Sequence, residues 1–269
     1  MDNLVVRHGF PTDTLATPEQ QVLVHPITGV VAENRRDLKI IYPESKTSAY
    51  RLGVSTHKLF TKAISELKTG STCVRFPIKD YCNLVGYPTR TKGQTTNAYN
   101  HIRMDLKKLH NITISWTNPA DSKEFKDISM VCEVGIQSGY IELEFSPSFA
   151  KWLLEQPIVT VCEPLMKIDG RNKNAYSIGY KILTHRSINS RRTNKNRLKV
   201  ETLLKVTNLP SYKQVLADGG SWQHRIKRPF EKALNVLKKA GVINGWAYKQ
   251  DGNQEKEYYS FLKTTVIFQ

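Results

Sequence analysis

Asn97, Asn100, Arg103 and Lys107 recur at three- and four-residue steps, the spacing that gathers side chains on one face of a helix. Thr96, His101, Met104 and Lys108 share or border that face, and Ala98, Tyr99, Ile102, Leu106 and Leu109 make the apolar side. Asn can bond an adenine edge through two hydrogen bonds, and Lys or Arg can reach guanine edges or phosphates. Asp105 is the only acid between Val85 and Ser115. A second set lies in Ser221–Ala240, where Trp222, Ile226, Phe230, Ala233, Leu234 and Leu237 form a buried stripe. His224, Arg228 and Asn235 point away from it, with Arg225, Lys227 and Lys232 at its flanks. Glu231, the sole acid, is expected to face outward, accepting from a cytosine amino group or orienting an arginine. Ser221 fits an N-cap, and the helix N-terminus behind it could seat a phosphate. Pro229 is expected to kink or break this helix.

A third set is a charge block. Lys181 to Val200 holds seven basic residues and no acid, with Ser, Thr and Asn between them. Arg191, Arg192, Lys195 and Arg197 read as phosphate-neutralising groups on a flexible polar connector, which add affinity without sequence information.

The bulk composition agrees. Lys and Arg number 40 against 24 Asp and Glu, a formal charge of +16 with a pI near 9.6, which favours a polyanionic partner. Hydrophobic residues at 39% and charged residues at 24% place the 269-residue chain among folded proteins of about two domains. No stretch approaches the roughly 18 apolar residues of a membrane span. Met1 to Pro11 lacks the basic start and apolar core of a secretory signal. Cys73, Cys82, Cys132 and Cys162 are irregularly spaced without a CxxC, so reduced thiols are expected in place of disulfides or zinc. The expectation is a cytoplasmic protein with no membrane partner, metal or cofactor.

Enzyme readings lack their parts. There is no GxxxxGK[ST] loop and no HExxH. His101 and His110 do not form the His-hydrophobic-His pair of metal-dependent nicking enzymes. Tyr180-Lys181 and Tyr212-Lys213 are weak signals, and Glu142 and Glu144 alternate on one strand as solvated carboxylates. No catalytic residue is assigned.

The elements that must carry these residues follow a repeated order. Leu59, Ala63, Ile64 and Leu67 predict a helix from Ser55 that ends by Gly70. A strand over Cys73–Phe76, a helix over Ile78–Val85 closed by Gly86 and Pro88, and a helix over Thr95–Leu109 follow. Strands are predicted at Ile112–Trp116, at Ile128–Ile136 after Asn118-Pro119-Ala120-Asp121, and at Tyr140–Phe145; Ser146-Pro147 then opens a helix through Leu154. The order returns with helices over Asn174–His185, Val200–Thr207 and Ser221–Ala240, then strands Val242–Lys249 and Tyr258–Phe268 around Asp251-Gly252. The fold expected is α+β, two tandem winged-helix domains. Residues 1–50, with β-type runs at Gln21–His25 and Lys39–Tyr42, read as an arm or small hairpin without legible function. Residues 51–170 form the first domain; 171–269, including the basic connector 181–200, form the second.

Three segments carry a family resemblance, extending over roughly Ser55 to Phe268. Phe76-Pro77-Ile78-Lys79-Asp80-Tyr81-Cys82-Asn83-Leu84-Val85-Gly86 resembles the second-helix signature of replication initiators of iteron-containing plasmids. Gly139-Tyr140-Ile141-Glu142-Leu143-Glu144-Phe145-Ser146-Pro147 is similar to the strand leading into that family's next helix. Arg225-Ile226-Lys227-Arg228-Pro229-Phe230-Glu231-Lys232-Ala233-Leu234 resembles its proline-containing recognition helix. The chain departs from the family in lacking an arginine- and leucine-rich linker, in Ala217-Asp218-Gly219-Gly220 and in Trp246, as a divergent member would. The resemblance implies double-stranded DNA at repeated origin sites as partner, with the second domain reading a major groove. It implies a first domain that touches adjacent DNA and self-associates, dimers repressing the chain's own gene and monomers starting replication. It further implies origin melting and recruitment of a host initiator and helicase. The residues allow two other readings, a tandem winged-helix transcriptional regulator and a rolling-circle nicking enzyme using a tyrosine.

Overall fold

The computed structural model describes residues 53–117, 125–155, 158–249 and 257–269, together with the backbone of 3–7 and 38–41. Strands β1 (Asn3–Arg7) and β2 (Leu38–Ile41) precede helix α1 (Val54–Glu66). Then come β3 (Cys73–Pro77), α2 (Ile78–Val85) and α3 (Lys92–His110). Helix α2 stops where the sequence places its stop, at Gly86, whose φ of 76° is the left-handed conformation glycine adopts freely. Helix α3 begins three residues before the predicted Thr95. Thr91 and Gln94 form a capping box, Thr91 Oγ1 accepting from the Gln94 N–H and Gln94 Oε1 accepting from the Thr91 N–H.

Strands β4 (Thr113–Thr117), β5 (Phe125–Ser129), β6 (Val131–Gln137) and β7 (Tyr140–Phe145) follow α3. The single strand predicted over Ile128–Ile136 is two strands in different sheets. The chain turns at fully buried Met130, whose N–H bonds the Ile112 carbonyl and whose carbonyl accepts from the Ser146 N–H. β5 joins a sheet of order β2-β4-β5; β6 joins one of order β3-β7-β6. In the latter, Val74 pairs with Leu143 and Phe76 with Ile141, which puts these four in the core while Arg75 and Glu142 face out. Ser138 (φ 50°) and Gly139 (φ 82°) make the β6–β7 tip, the two positive φ values of a tight hairpin turn.

Helix α4 (Pro147–Glu155), β8 (Ile158–Cys162) and α5 (Glu163–Met166) lead to α6 (Lys173–Ile188). β1 pairs antiparallel with β8, and β2 with β4, so these two N-terminal strands are laid onto the first winged helix instead of forming a separate hairpin. The second frame continues with β9 (Arg197–Lys199), α7 (Val200–Leu204), α8 (Tyr212–Ala217), a π-helical turn (Gln223–Lys227), α9 (Arg228–Ala240), β10 (Trp246–Tyr248), α10 (Tyr258–Lys263) and β11 (Thr265–Phe268). Its sheet runs β10-β11-β9. In both frames the third strand lies between the first and the second, behind a recognition helix. The chain is an α+β protein of two winged helices.

The predicted strand Val242–Lys249 shortens to Trp246–Tyr248 because Val242 and Ile243 are buried beside the helix end. The predicted strand Tyr258–Phe268 is helical in its first half. Tyr258 stacks on Tyr212 at 4.2 Å, and buried Phe261, one turn on, lies 5.3 Å from Trp222 and 6.1 Å from Phe230. Aromatic packing overrides the β-type composition there. Asp251-Gly252, Gln21–His25 and Asn118–Asp121 lie outside the described residues.

The two frames share a junction. Tyr176 of α6 is fully buried and its hydroxyl lies 2.9 Å from Nδ1 of His57 in α1. Lys58 donates from Nζ to the Ile168 carbonyl at 2.5 Å; burial pushes its pKa down to about 8, against the attraction of Asp169. Gly179 sits where α6 is approached from both sides: a Cβ there would lie 2.5 Å from a Leu165 methyl and 2.6 Å from a Leu237 methyl.

Candidate nucleic-acid interface

Helix α3 presents its polar face to solvent. Thr96, Asn97, Asn100, His101, Arg103, Met104 and Lys107 are exposed, while Ala98, Ile102, Leu106 and Leu109 are buried. Thr96 Oγ1 donates to the Lys92 carbonyl, which ties that side chain to its own helix. Asp105 is turned inward and is 3% exposed, accepting from Thr56 Oγ1 at 2.6 Å and Ser55 Oγ at 3.1 Å in the first turn of α1. Burial raises its carboxyl pKa against the lowering effect of those hydroxyls. The signal was in the spacing: Asp105 stands three residues after Ile102 and four before Leu109, on the apolar side. The one acid of α3 thus docks the helix and leaves its outer face without negative charge.

The second recognition helix does not break at Pro229: helical residues continue from the turn before the proline into α9. Gln223–Lys227 is π-helical, and the Arg228 N–H bonds the Gln223 carbonyl five residues back. Pro229 follows as the second residue of α9, directly after the widened turn. The widened turn and the start of α9 carry the site residues. His224, Arg225, Arg228 and Lys232 are exposed. A guanidinium can only donate, so in the 2.9 Å contact of Arg228 Nη1 with His224 Nδ1 the imidazole nitrogen accepts. Arg225 pairs with Asp218 at 2.6 Å and holds the Gly219-Gly220 turn against the helix. Ser221 accepts the His224 and Arg225 N–H groups on its carbonyl, while its hydroxyl donates to Gln223 Oε1 at 2.6 Å.

Two residues sit differently from expectation. Glu231 does not face outward: it accepts from Tyr248 Oη of the wing at 3.1 Å and lies 4.0 Å from Lys227 Nζ. Half-buried Lys227 packs over the rings of Tyr248 and Phe261, each 5.8 Å away. Trp246 Nε1 also donates from the wing to Asn235 Oδ1 at 3.0 Å. The hairpin strand therefore takes up the acid and one cation of the helix, a pairing that sequence spacing alone does not show.

The basic block is partly helical and partly a run of turns. Lys181 and Arg186 belong to α6, and Arg186 is half-buried with Nε donating to Asn196 Oδ1. Between α6 and β9 the chain makes successive turns, Arg192 N–H to the Asn189 carbonyl, Lys195 to Arg192 and Arg197 to Asn194. Arg191, Arg192 and Lys195 are exposed on this loop, and Arg197 is exposed at the start of β9. Among the described residues no His, Cys, Asp and Glu cluster could hold a metal, and no helix is long and apolar enough to cross a membrane.

Two exposed recognition helices on matching frames define the class, a double winged-helix protein. Residues 44–157 match the family model described as initiator replication protein, WH1. That segment is similar to the replication-initiator WH1 family, and its described part holds the first winged helix. A crystal structure of domains 2 and 3 of RctB is 12% identical, covering 97% of this chain and 98% of that one, with a TM-score of 0.47. A second structure of RctB domains 2–3 is 11% identical over 88% and 92%, with a TM-score of 0.39. The search of curated proteins returned no match.

Proposed function

We propose that this chain initiates plasmid replication by binding repeated double-stranded DNA sites at an origin, as an origin-bound initiator without a catalytic centre of its own. The observation that carries this is the treatment of acids on the two recognition helices. Asp105 is buried against α1 and Glu231 is bonded to the wing, so both outward faces offer donors and cations to a duplex of uniform negative charge. Asn97, Asn100, Arg103 and Lys107 face one major groove, with Thr96 at the edge. His224, Arg228 and Lys232 face another, with Ser221 and Arg225 at the start of the helix and Lys227 braced behind it. Arg191, Arg192, Lys195 and Arg197 meet phosphates beside the second helix and fix register without reading bases.

The remaining parts of the reading rest on the family. The first domain also self-associates, dimers repress the chain's own gene, and bound monomers assist melting and recruit a host initiator and helicase in the cytoplasm. Footprinting on DNA flanking the chain's own gene, at about physiological salt, tests the core of it. Evenly spaced protected direct repeats are expected. A single protected promoter site would replace the initiator with a transcriptional regulator, and protection no better than on random DNA would remove both.

A further inference from the structure

Helix α3 carries a side chain that neither phosphates nor hydrogen-bonding base edges explain. Met104 is 56% exposed, at the centre of the face formed by Asn97, Asn100, His101 and Lys107. It stands four residues after Asn100 and three after His101, one helical turn along the outer surface. Among the described residues of α3 it is the most exposed large apolar group; Tyr99, the other, is 36% exposed. An asparagine amide matches the N6 and N7 edge of adenine, and the thymine of the same base pair shows a C5-methyl in the same groove. A flexible, polarizable thioether beside two such amides is suited to that methyl. The outer face of the second helix has no such group: His224, Arg225, Arg228, Lys232, Lys238 and Lys239 are exposed beside the polar Gln223 and Asn235.

We infer that α3 reads an A·T segment of the site, with Met104 packed on a thymine C5-methyl next to an adenine held by Asn97 or Asn100. The assignment rests on the DNA-binding reading above and adds a base composition and a contact to it. Met104 is then a specificity residue: removing its partner methyl costs affinity only while the thioether is present. One buried methyl is worth about a fourfold change in affinity.

The test begins by selecting duplexes from a randomised 30-base-pair pool with the full chain, then replacing each thymine of the selected site by uracil, which removes only the methyl. For the unaltered protein, one or two thymines in an A·T segment should each show a loss of about three- to tenfold on replacement. Met104→Ala should bind the thymine duplex more weakly and show no further loss with uracil at those positions. Met104→Gln, which keeps length but not apolar character, should behave like the alanine variant. Equal uracil losses in the unaltered and altered proteins, or a selected site without thymine-sensitive positions, would overturn the assignment while leaving DNA reading intact. Failure to enrich any sequence would instead remove the DNA-reading role on which it rests.

Discussion

The two recognition helices stand on frames of the same strand order yet are held in place by opposite means. Helix α3 is docked from behind, through Asp105 and the hydroxyls of Ser55 and Thr56. The second helix is docked from the side, through Glu231 to Tyr248 and Asn235 to Trp246 on the wing. Both solutions remove a carboxylate from the outward face, one by burial and the other by a hydrogen bond. What remains outward differs in part: α3 carries amides and a thioether beside Arg103 and Lys107, whereas the second helix carries an arginine–histidine pair where the π-helical turn meets α9. One architecture therefore supports two chemistries, and the difference lies in exposed side chains, not in the fold.

Emptying the packing behind one helix is the strongest way to probe that comparison. Phe230 is fully buried in the second frame, and Phe230→Ala should cost about 3–5 kcal/mol of stability. Because α6 is packed against both frames, chemical denaturation followed by fluorescence and circular dichroism should still give one transition. Two separated transitions would show frames that unfold independently.

A change at the junction itself comes next. Lys58 has a pKa near 8 folded and 10.5 as its ordinary value, so the unfolded chain binds more protons between those limits. Stability from this group therefore rises with pH across about pH 8 to 10.5 and is lowest below it. Lys58→Met should remove that rise, a difference of roughly 3 kcal/mol at most across the window. Parallel stability curves for the two proteins would contradict a buried, strained ammonium.

The smallest effects concern the outward faces. Arg228→Ala should weaken binding to the selected site by about 1–3 kcal/mol while leaving random DNA nearly unaffected, if Arg228 meets a base edge. Replacing Arg191, Arg192 and Lys195 by glutamine should do the reverse, weakening all sequences alike and lowering the salt slope by about one per lost phosphate contact. Equal losses of Arg228→Ala on both kinds of DNA would move that residue to the phosphates.

Much of the first frame was legible because its signals are local. The α2 stop at Gly86, the strand Tyr140–Phe145 and the Pro147 start each follow from one or two residues with fixed backbone preference. The second frame was less legible where tertiary packing decides. Tyr258 and Phe261 are β-formers by composition but coil into a helix to reach Tyr212 and Trp222. Pro229 reads as a helix breaker, yet a π-helical turn absorbs it. In the interface, the 3.6-residue period placed most of both exposed faces, but Tyr99, read as part of the apolar side, is 36% exposed, and Lys108, read as outward, is half-buried 3.8 Å from Asp105. The inward turn of Glu231 is not legible from that period, because its partner Tyr248 is 17 residues away, on the strand that follows α9.

Gly179 has a consequence for how such a chain can change over generations. Its missing side chain lets Leu165 from one frame and Leu237 from the other close on the same helix. A foreign second module spliced in at that point would have to bring a matching glycine and a matching leucine together, or lose the seam. Exchange of whole modules between lineages is thereby disfavoured. New binding preferences are more readily acquired by single replacements on the outer rows of the two helices, which touch nothing at the seam.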